Sequence, residues 1–191
     1  MPSPLRVVLV PGFLSPAWMF VPLERSLRRA GLDAVRWDAP KVFVDPAASV
    51  AALRDDLTRD GSPIAVVSHS FGDWLARRAI AGRDCGPIER LISIAPVTTR
   101  LPLTPLVRQA RLDRVPELRV MTDSQAAEVP IAAADCRSRL VLWPTVELIV
   151  ARALPPGDTV PTEERRIVGT HNSLPWQPGV HRLIAQTLAR P

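Results

Sequence analysis

A serine lies between an apolar segment and a helix-forming segment in residues 64–79, which read IAVVSHSFGDWLARRA. The central part, SHSFG, is close to the pattern G-x-S-x-G, in which a strained turn from a strand to a helix presents a serine hydroxyl above a sheet. Ser68 replaces the first glycine of that pattern, and we expect this small residue to fit. Serine is also common as a helix N-cap, which is the alternative role for Ser70. The pattern predicts Ser70 as a nucleophile.

A serine nucleophile needs a base within hydrogen-bond reach, and the chain contains three histidines. His69 is adjacent to Ser70, so we expect its side chain to project away from the serine oxygen. His181 lies inside a predicted helix, where a packing or solvent-facing role is expected. His171 directly follows a predicted strand, at the sheet edge where Ser70 is expected. We therefore predict His171 as the general base.

The base needs a carboxylate that fixes its tautomer, and elbow enzymes carry this acid between the serine and the histidine in chain order. Glu147 follows the fifth predicted strand and precedes His171 by 24 residues, which leaves room for a helix and a strand. Asp158 precedes His171 by 13 residues and lies in a polar turn. If residues 146–154 formed the fifth strand instead, Asp158 would be the acid. Glu147 is preferred, with Asp158 as the second choice.

Backbone amides are expected to bind the negative charge that forms on an attacked carbonyl oxygen. One is the amide of Phe71, directly after the predicted nucleophile. The second should come from the loop after the first strand, so we predict the amide of Phe13, with that of Leu14 as the next choice. Because both donors are backbone groups, the side chains of Phe13 and Phe71 are free to pack in the core.

Strands and helices alternate along the chain, which predicts a parallel sheet with helices on both faces. The fold class is therefore α/β, a three-layer sandwich with a doubly wound, mainly parallel sheet of about six strands. In the strand order 2-1-3-4-5, ligands bind beyond strands 1 and 3, where the loops PGFLSP and SHSFG lie. Residues 1–191 form one predicted domain, with residues 97–137 as a short cap or an extended connection. The predicted strands are 5–10, 33–38, 63–68, 90–96, 138–143 and 165–170, and the predicted helices are about 17–30, 46–60, 73–81 and 178–190.

Composition argues against several other classes of protein. The net charge is +5, but Lys41 is the sole lysine and the arginines are scattered without a basic run, so no nucleic acid is expected as a partner. No apolar stretch approaches the about 18 residues of a membrane span, and no signal-peptide pattern opens the chain, which predicts a cytoplasmic protein. Cys85 and Cys136 show no metal spacing. They are expected as free buried thiols, a single disulfide being the alternative, and no metal or cofactor is expected.

These segments resemble the α/β-hydrolase superfamily, and especially its small bacterial lipases. The resemblance lies in VVLVPGF at 7–13, VVSHSFG at 66–72, WPTVELIV at 143–150 and the histidine loop with its final helix at 167–188. It implies the fold described above, a serine-histidine-acid triad and Glu147 at a position where these lipases usually carry aspartate. Two departures are Pro11, in place of a histidine, and Asp73, in place of a second glycine. We expect Asp73 to lie close to the pocket.

The predicted activity is hydrolysis of a carboxylic ester of an apolar acyl group through an acyl-enzyme on Ser70. The side chains of Leu14, Trp18 and Trp176 are predicted to contact the small-molecule substrate. The same residues could hydrolyse a thioester or an amide, or transfer the acyl group. A hydrolase fold that binds a ligand without turnover is the alternative from another class, suggested by the departures at Pro11, Ser68 and Asp73.

Overall fold

A computed structural model describes residues 5–38, 44–59, 63–82 and 88–189. Cys85 and Lys41 lie outside these residues. Cys136 is a buried free thiol whose Sγ donates to the carbonyl of Ser138 over 3.1 Å. Burial raises the pKa of the Cys136 thiol to about 11. Among the described helices, none has the length and apolar character needed to cross a bilayer.

Six parallel strands form one sheet in the order β2-β1-β3-β4-β5-β6. This confirms the predicted α/β fold with a doubly wound sheet. The inner strands are almost continuously buried, as their apolar runs predict for parallel strands covered on both faces, whereas β6 at the edge is mostly exposed. The strands are β1 (Arg6–Val10), β2 (Asp33–Arg36), β3 (Ile64–His69), β4 (Arg90–Ile94), β5 (Arg139–Val146) and β6 (Thr162–Thr170).

Four longer helices cover the two faces of the sheet. They are α1 (Val21–Arg29), α2 (Pro46–Thr58), α3 (Phe71–Ile80) and α7 (Pro178–Leu188). Alternate residues of each strand point to opposite faces, so Val7 packs in one core with α1 and α7, while Val8 packs in the other with α2 and α3. The result is the predicted three-layer arrangement, which exposes the carboxyl ends of the strands at one edge.

The predicted first helix is divided in two. Residues Ala17–Phe20 form a 3-10 turn, and α1 begins only at Val21. Pro22 explains the boundary, because proline lacks an N–H and suits the first turn of an α-helix, where that donor is not needed. Gly31, with φ +82°, follows the end of α1 and permits the left-handed turn there.

The last two strands are longer than predicted. β5 and β6 pair from Arg139 with Thr162 to Val146 with Thr170, with a register shift near Pro144. The β4–β5 ladder ends at Leu142, so Pro144 lies where β5 has only one neighbour and its missing N–H is tolerated. The start of β6 reads TEERR, a polar sequence that is compatible with an exposed edge strand. Strands were predicted here from apolar runs, so this part of β6 was not detected.

The proline-rich segment between β4 and β5 forms short helices. Leu101 and Met121 from this segment pack into the same core as α2 and α3. Pro105 and Pro116 occupy the first turns of two of its helices, which explains why prolines are compatible with helix here. The helices are α4 (Thr104–Gln109), α5 (Pro116–Thr122) and α6 (Ser124–Ala127), with a 3-10 turn at Leu112–Arg114.

Candidate active site

Ser70 occupies a strained turn between β3 and α3. Its backbone has φ 53° and ψ −126°, a conformation that a residue with a side chain rarely adopts. Gly72 makes the turn possible, because a Cβ there would overlap the carbonyl oxygen of Pro11 and lie 2.6 Å from that of Val10. Ser68 fits in place of the first glycine of the pattern. Its hydroxyl donates to Asp73 Oδ1 over 2.9 Å.

His171 directly follows β6, and its ring contacts a carboxylate that follows β5. The Nδ1–H of His171 donates to Glu147 Oε2 over 2.9 Å, and the side chains of the two residues are only 6% and 1% exposed. The other oxygen, Oε1, accepts from the amides of Ile149 at 2.8 Å and Val150 at 3.1 Å. Both carboxylate oxygens of Glu147 are therefore held in place, and one of them orients the histidine.

These donors also set the charge of Glu147. Burial by itself raises the pKa of a carboxyl group. The hydrogen bond from His171 and the amide of Ile149 outweigh burial and hold the pKa of Glu147 below its usual range. The carboxylate is therefore ionised at neutral pH, where it stabilises the Nδ1–H tautomer of His171 and leaves Nε2 free to accept a proton.

Asp158, the second choice for the acid, has other partners. Its Oδ2 accepts from Arg139 Nη1 over 2.9 Å and its Oδ1 accepts from the amide of Ile131 over 2.8 Å. Of the two carboxylates predicted for this role, the one that lies against His171 is Glu147.

The other two histidines are buried and bonded to backbone carbonyls. His69 donates from Nε2 to the carbonyl of His171 over 3.0 Å, and the two rings are 5.0 Å apart. Its ring lies beside His171, a contact that was not predicted from the sequence. His181 donates from Nε2 to the carbonyl of Pro175 over 2.8 Å, which agrees with a packing role.

Ser70 and His171 line one cavity of about 350 Å³. Small-molecule sites typically measure about 300–1,000 Å³, so this cavity lies near the lower end of that range. Its wall is mainly apolar and includes side chains from the segment between β4 and β5. The apolar side chains that line it are Phe13, Leu14, Pro16, Met19, Leu101, Leu118, Met121 and Ile149.

Two backbone amides beside Ser70 are available to a ligand. Neither Phe13 nor Phe71 donates its N–H to another group in the described part of the chain. The loop that carries Phe13 approaches the turn closely because Gly12 has no side chain, and a Cβ there would lie 2.9 Å from Ser70 Cβ. Leu14, the next residue in this loop, has a positive φ of 57°. Phe13 lines the cavity and Phe71 directly follows Ser70 at the start of α3, so both amides belong to segments next to the nucleophile turn.

The three side chains predicted to contact substrate are placed differently. Leu14 lines the cavity. Trp18 and Trp176 lie outside that lining and contact each other, with ring centroids 5.1 Å apart. They remain 61% and 39% exposed, so their contact forms an apolar surface rather than the cavity wall.

A buried ionic cluster lies beneath the turn and was not predicted from the sequence. Asp73 is fully buried rather than facing the pocket, and its Oδ2 accepts from Arg77 at 2.8 Å and Arg139 at 3.1 Å. Burial opposes ionisation, but Arg139 and Arg77 together lower the pKa of Asp73 below its usual value. Arg77 also donates to the carbonyls of Val97 and Val129, both over 2.5 Å, which ties α3 to the segment after β4. The spacing of Asp73 and Arg77, four residues apart in a helix, was the available signal.

Nothing in the described residues forms a metal site. No three His, Cys, Asp or Glu side chains within residues 5–38, 44–59, 63–82 and 88–189 lie close enough to hold an ion. The polar residues that line the cavity are instead Ser15, His69, Ser70, His171 and Asn172.

Similar folds occur in esterases, lipases and thioesterases. A type II thioesterase from the borrelidin biosynthetic cluster matches with a TM-score of 0.68 and 19% identity, over 98% of this chain and 92% of the thioesterase. A metagenomic carboxyl esterase matches with a TM-score of 0.73 and 14% identity, over 96% of this chain and 74% of the esterase. The monoacylglycerol lipase of Paleococcus ferrophilus matches with a TM-score of 0.67 and 16% identity, over 98% of this chain and 95% of the lipase.

Sequence comparison identifies the family. No curated protein matches this chain in sequence. The family model of the alpha/beta hydrolases matches residues 7–189, which include all six strands except Arg6 and every residue that lines the cavity. This chain therefore belongs to the alpha/beta hydrolase family.

Proposed function

We propose that this protein is a serine hydrolase that cleaves a carboxylic ester of an apolar acyl group through an acyl-enzyme on Ser70. The single observation that best supports this is the 2.9 Å hydrogen bond between His171 Nδ1 and Glu147, formed at a cavity that also contains Ser70. A histidine held in this tautomer beside a strained serine is the arrangement that activates a hydroxyl for acyl transfer.

In the proposed reaction, Ser70 Oγ attacks the carbonyl carbon of the ester while His171 Nε2 accepts the hydroxyl proton. The resulting imidazolium is stabilised by the carboxylate of Glu147. His171 then gives the proton to the leaving alcohol, and the bond between the acyl carbon and the alcohol oxygen breaks. A water molecule, deprotonated by the same nitrogen, attacks the acyl carbon of the acyl-enzyme. His171 then gives this proton to Ser70 Oγ as the bond between the acyl carbon and Oγ breaks, which releases the carboxylic acid and regenerates the Ser70 hydroxyl.

The amides of Phe13 and Phe71 are proposed to bind the oxyanion in both tetrahedral intermediates. Each such donor typically contributes about 3–4 kcal/mol to transition-state stabilisation. The N-terminus of α3, where Phe71 lies, adds a partial positive charge of the appropriate sign.

The acyl group is proposed to occupy the apolar cavity. Leu101, Leu118 and Met121 contribute to its wall, so residues 97–137 are proposed to act as a short cap within a single domain. A cavity of about 350 Å³ suits a small or medium acyl group better than a long one. The acyl carbon of a thioester would be attacked in the same way. An ester and a thioester of the same acyl group differ only in the leaving group, which is an alcohol or a thiol.

The test is a substrate panel of p-nitrophenyl esters from acetate to laurate, acyl-thioesters and acyl-amides of the same chain lengths. We expect turnover of esters with a preference for short or medium chains, and loss of all turnover in Ser70→Ala. Ser68→Ala is the matched control, because it removes a hydroxyl two residues away that faces Asp73 rather than the cavity.

Each outcome of this panel has a defined meaning. Thioester turnover well above ester turnover would replace the proposed substrate but keep the mechanism. Folded wild-type protein that turns over no substrate, or Ser70→Ala that retains wild-type turnover, would refute the proposed function.

A further inference from the structure

His69 connects the two loops that carry the predicted nucleophile and base. It directly precedes Ser70, and its Nε2 donates to the backbone carbonyl of His171, a residue 102 positions away in the chain. The imidazole rings of His69 and His171 also pack at 5.0 Å. This direct side-chain bond joins the turn after β3 to the loop after β6.

The geometry fixes the tautomer of His69. A carbonyl oxygen can only accept a hydrogen bond, so Nε2 carries the proton and Nδ1 carries a lone pair. No group in the described part of the chain donates to Nδ1, which is buried. It lies close to Gly12, where a Cβ would be 3.3 Å away. The ring is thus enclosed between the loop after β1 and the loop that carries His171.

The surroundings keep this ring neutral. Burial, with a smaller contribution from the neighbouring His171, lowers the pKa of His69 to about 3. A histidine that neither gains nor loses a proton near neutral pH cannot serve as a general acid or base. His69 also lines the cavity, but the one hydrogen bond that its ring forms among the described residues is the bond to the His171 carbonyl.

We infer that His69 is a positioning residue that holds the loop of His171 against the nucleophile turn through its Nε2–H bond to the His171 carbonyl. This inference rests on the proposed function, because it assigns His69 a role in the reaction of Ser70. A single hydrogen bond to Glu147 orients the ring of His171, and the bond from His69 holds its backbone. The two restraints act on different parts of the same residue.

The expected effect of losing this restraint is on the rate of acylation rather than on substrate affinity. Displacement of a catalytic group by about 1 Å can cost about 100-fold in rate. We therefore expect His69→Leu, which keeps an apolar side chain but removes the donor, to lower kcat by about 10- to 100-fold with little change in KM.

Two further variants separate the hydrogen bond from the ring itself. Glutamine carries an amide nitrogen near the position of Nε2, so His69→Gln should restore most of the rate. Asparagine carries its amide nitrogen near the position of Nδ1, facing Gly12, and His69→Asn should not. His181→Leu is the matched control, because His181 is also buried and also donates to a carbonyl, that of Pro175. It should lower the melting temperature without slowing acylation.

The experiment measures the rate of labelling of Ser70 by a fluorophosphonate in each variant, with thermal unfolding as the check on folding. Slow labelling in the leucine and asparagine variants and recovery in the glutamine variant would support the inference. His69→Leu that labels at the wild-type rate would overturn it, as would a folded His69→Gln as slow as His69→Leu. Wild-type protein that does not label at all would instead overturn the proposed function.

A measurement on the wild-type protein keeps the inference testable if the variants do not fold. Nitrogen-15 chemical shifts of the His69 ring identify which nitrogen carries the proton. A proton on Nε2 that persists through neutral pH is the expected result. A proton on Nδ1, or titration of the His69 ring near neutral pH, would overturn the inference.

Discussion

Replacing Glu147 by glutamine removes the negative charge that faces His171 while keeping the length of the side chain. The glutamine oxygen can still accept from the amide of Ile149, which keeps the local turn. Its amide group would then face Nδ1 of His171 as a donor, which favours the tautomer with the proton on Nε2. In that tautomer, Nε2 cannot accept the proton of Ser70.

The magnitude follows from the geometry. Glu147 Oε2 lies 2.9 Å from His171 Nδ1, in a pair that is almost fully buried. With charge centres about 4 Å apart and an effective dielectric constant of about 20, the carboxylate stabilises an imidazolium by about 4 kcal/mol. This corresponds to a rate factor of about 10³. We expect Glu147→Gln to lower kcat by about this factor while the protein remains folded.

The pH dependence of thermal stability provides a second test of the same variant. The pKa of Glu147 is lowered in the folded protein, so its contribution to stability is fully present above the unfolded pKa and is lost as the pH falls through the folded pKa. Glu147→Gln should therefore reduce the difference in melting temperature between neutral and acidic pH. Kinetics on a p-nitrophenyl ester and thermal unfolding from neutral pH to pH about 3 measure both effects.

Asp158→Asn is the matched control for the identity of the acid. Asp158 forms a buried ion pair with Arg139, and breaking such a pair costs about 3–5 kcal/mol of stability. We expect this variant to be less stable but to retain kcat per folded molecule. The reasoning is refuted if Asp158→Asn loses about 10³ in kcat while Glu147→Gln remains active.

Three other predictions follow from the cluster, the turn and the cavity. Asp73→Asn leaves two buried guanidinium groups without their shared anion, so urea unfolding should show a free energy of unfolding lower by about 3–5 kcal/mol. This difference from the wild-type protein should shrink as the pH falls through the lowered pKa of Asp73. An equal difference at acidic pH would contradict this. Gly72→Ala should abolish activity or folding, because a Cβ there would overlap backbone oxygens. Gly179→Ala is the control, because a Cβ at Gly179 meets nothing within 4 Å, and it should keep wild-type circular dichroism and activity. Equal behaviour of the two variants would count against the packed turn. Met121→Ala should change KM for short esters and Trp176→Ala should not, since Met121 lines the cavity and Trp176 does not. The reverse pattern in steady-state kinetics would mean that the acyl group binds elsewhere.

The sequence predicted the sheet well because its inner strands carry strong signals. β1 and β3 are continuous apolar runs, and the loops that follow them lie at the point where the winding of the sheet reverses. The turn at Ser70 could be identified from the small residues on either side of it. The start of β6 at Thr162 was missed because its first five residues, TEERR, are all polar, and a polar stretch of this kind also suits a loop.

Features that depend on long-range burial were not predictable. Arginine is usually exposed to solvent, so the sequence suggests that Arg77 and Arg139 lie on the surface. The folded chain shows that both are buried against Asp73. The link from His69 to His171 likewise depends on how closely the loop at Gly12 approaches the turn. The choice between Glu147 and Asp158 required the path of the chain after β5, and sequence spacing alone does not define it. The roles of Ser70, His171 and Glu147 stay predictions.

The most direct test of the account is mass spectrometry of the protein quenched during turnover of a p-nitrophenyl ester. We expect one added acyl group, located on the peptide that contains Ser70, and none in Ser70→Ala. We also expect His171→Ala to accumulate far less of this adduct over the same time. An acyl group found on another residue, or steady turnover with no covalent adduct under conditions where acylation is fast, would contradict it.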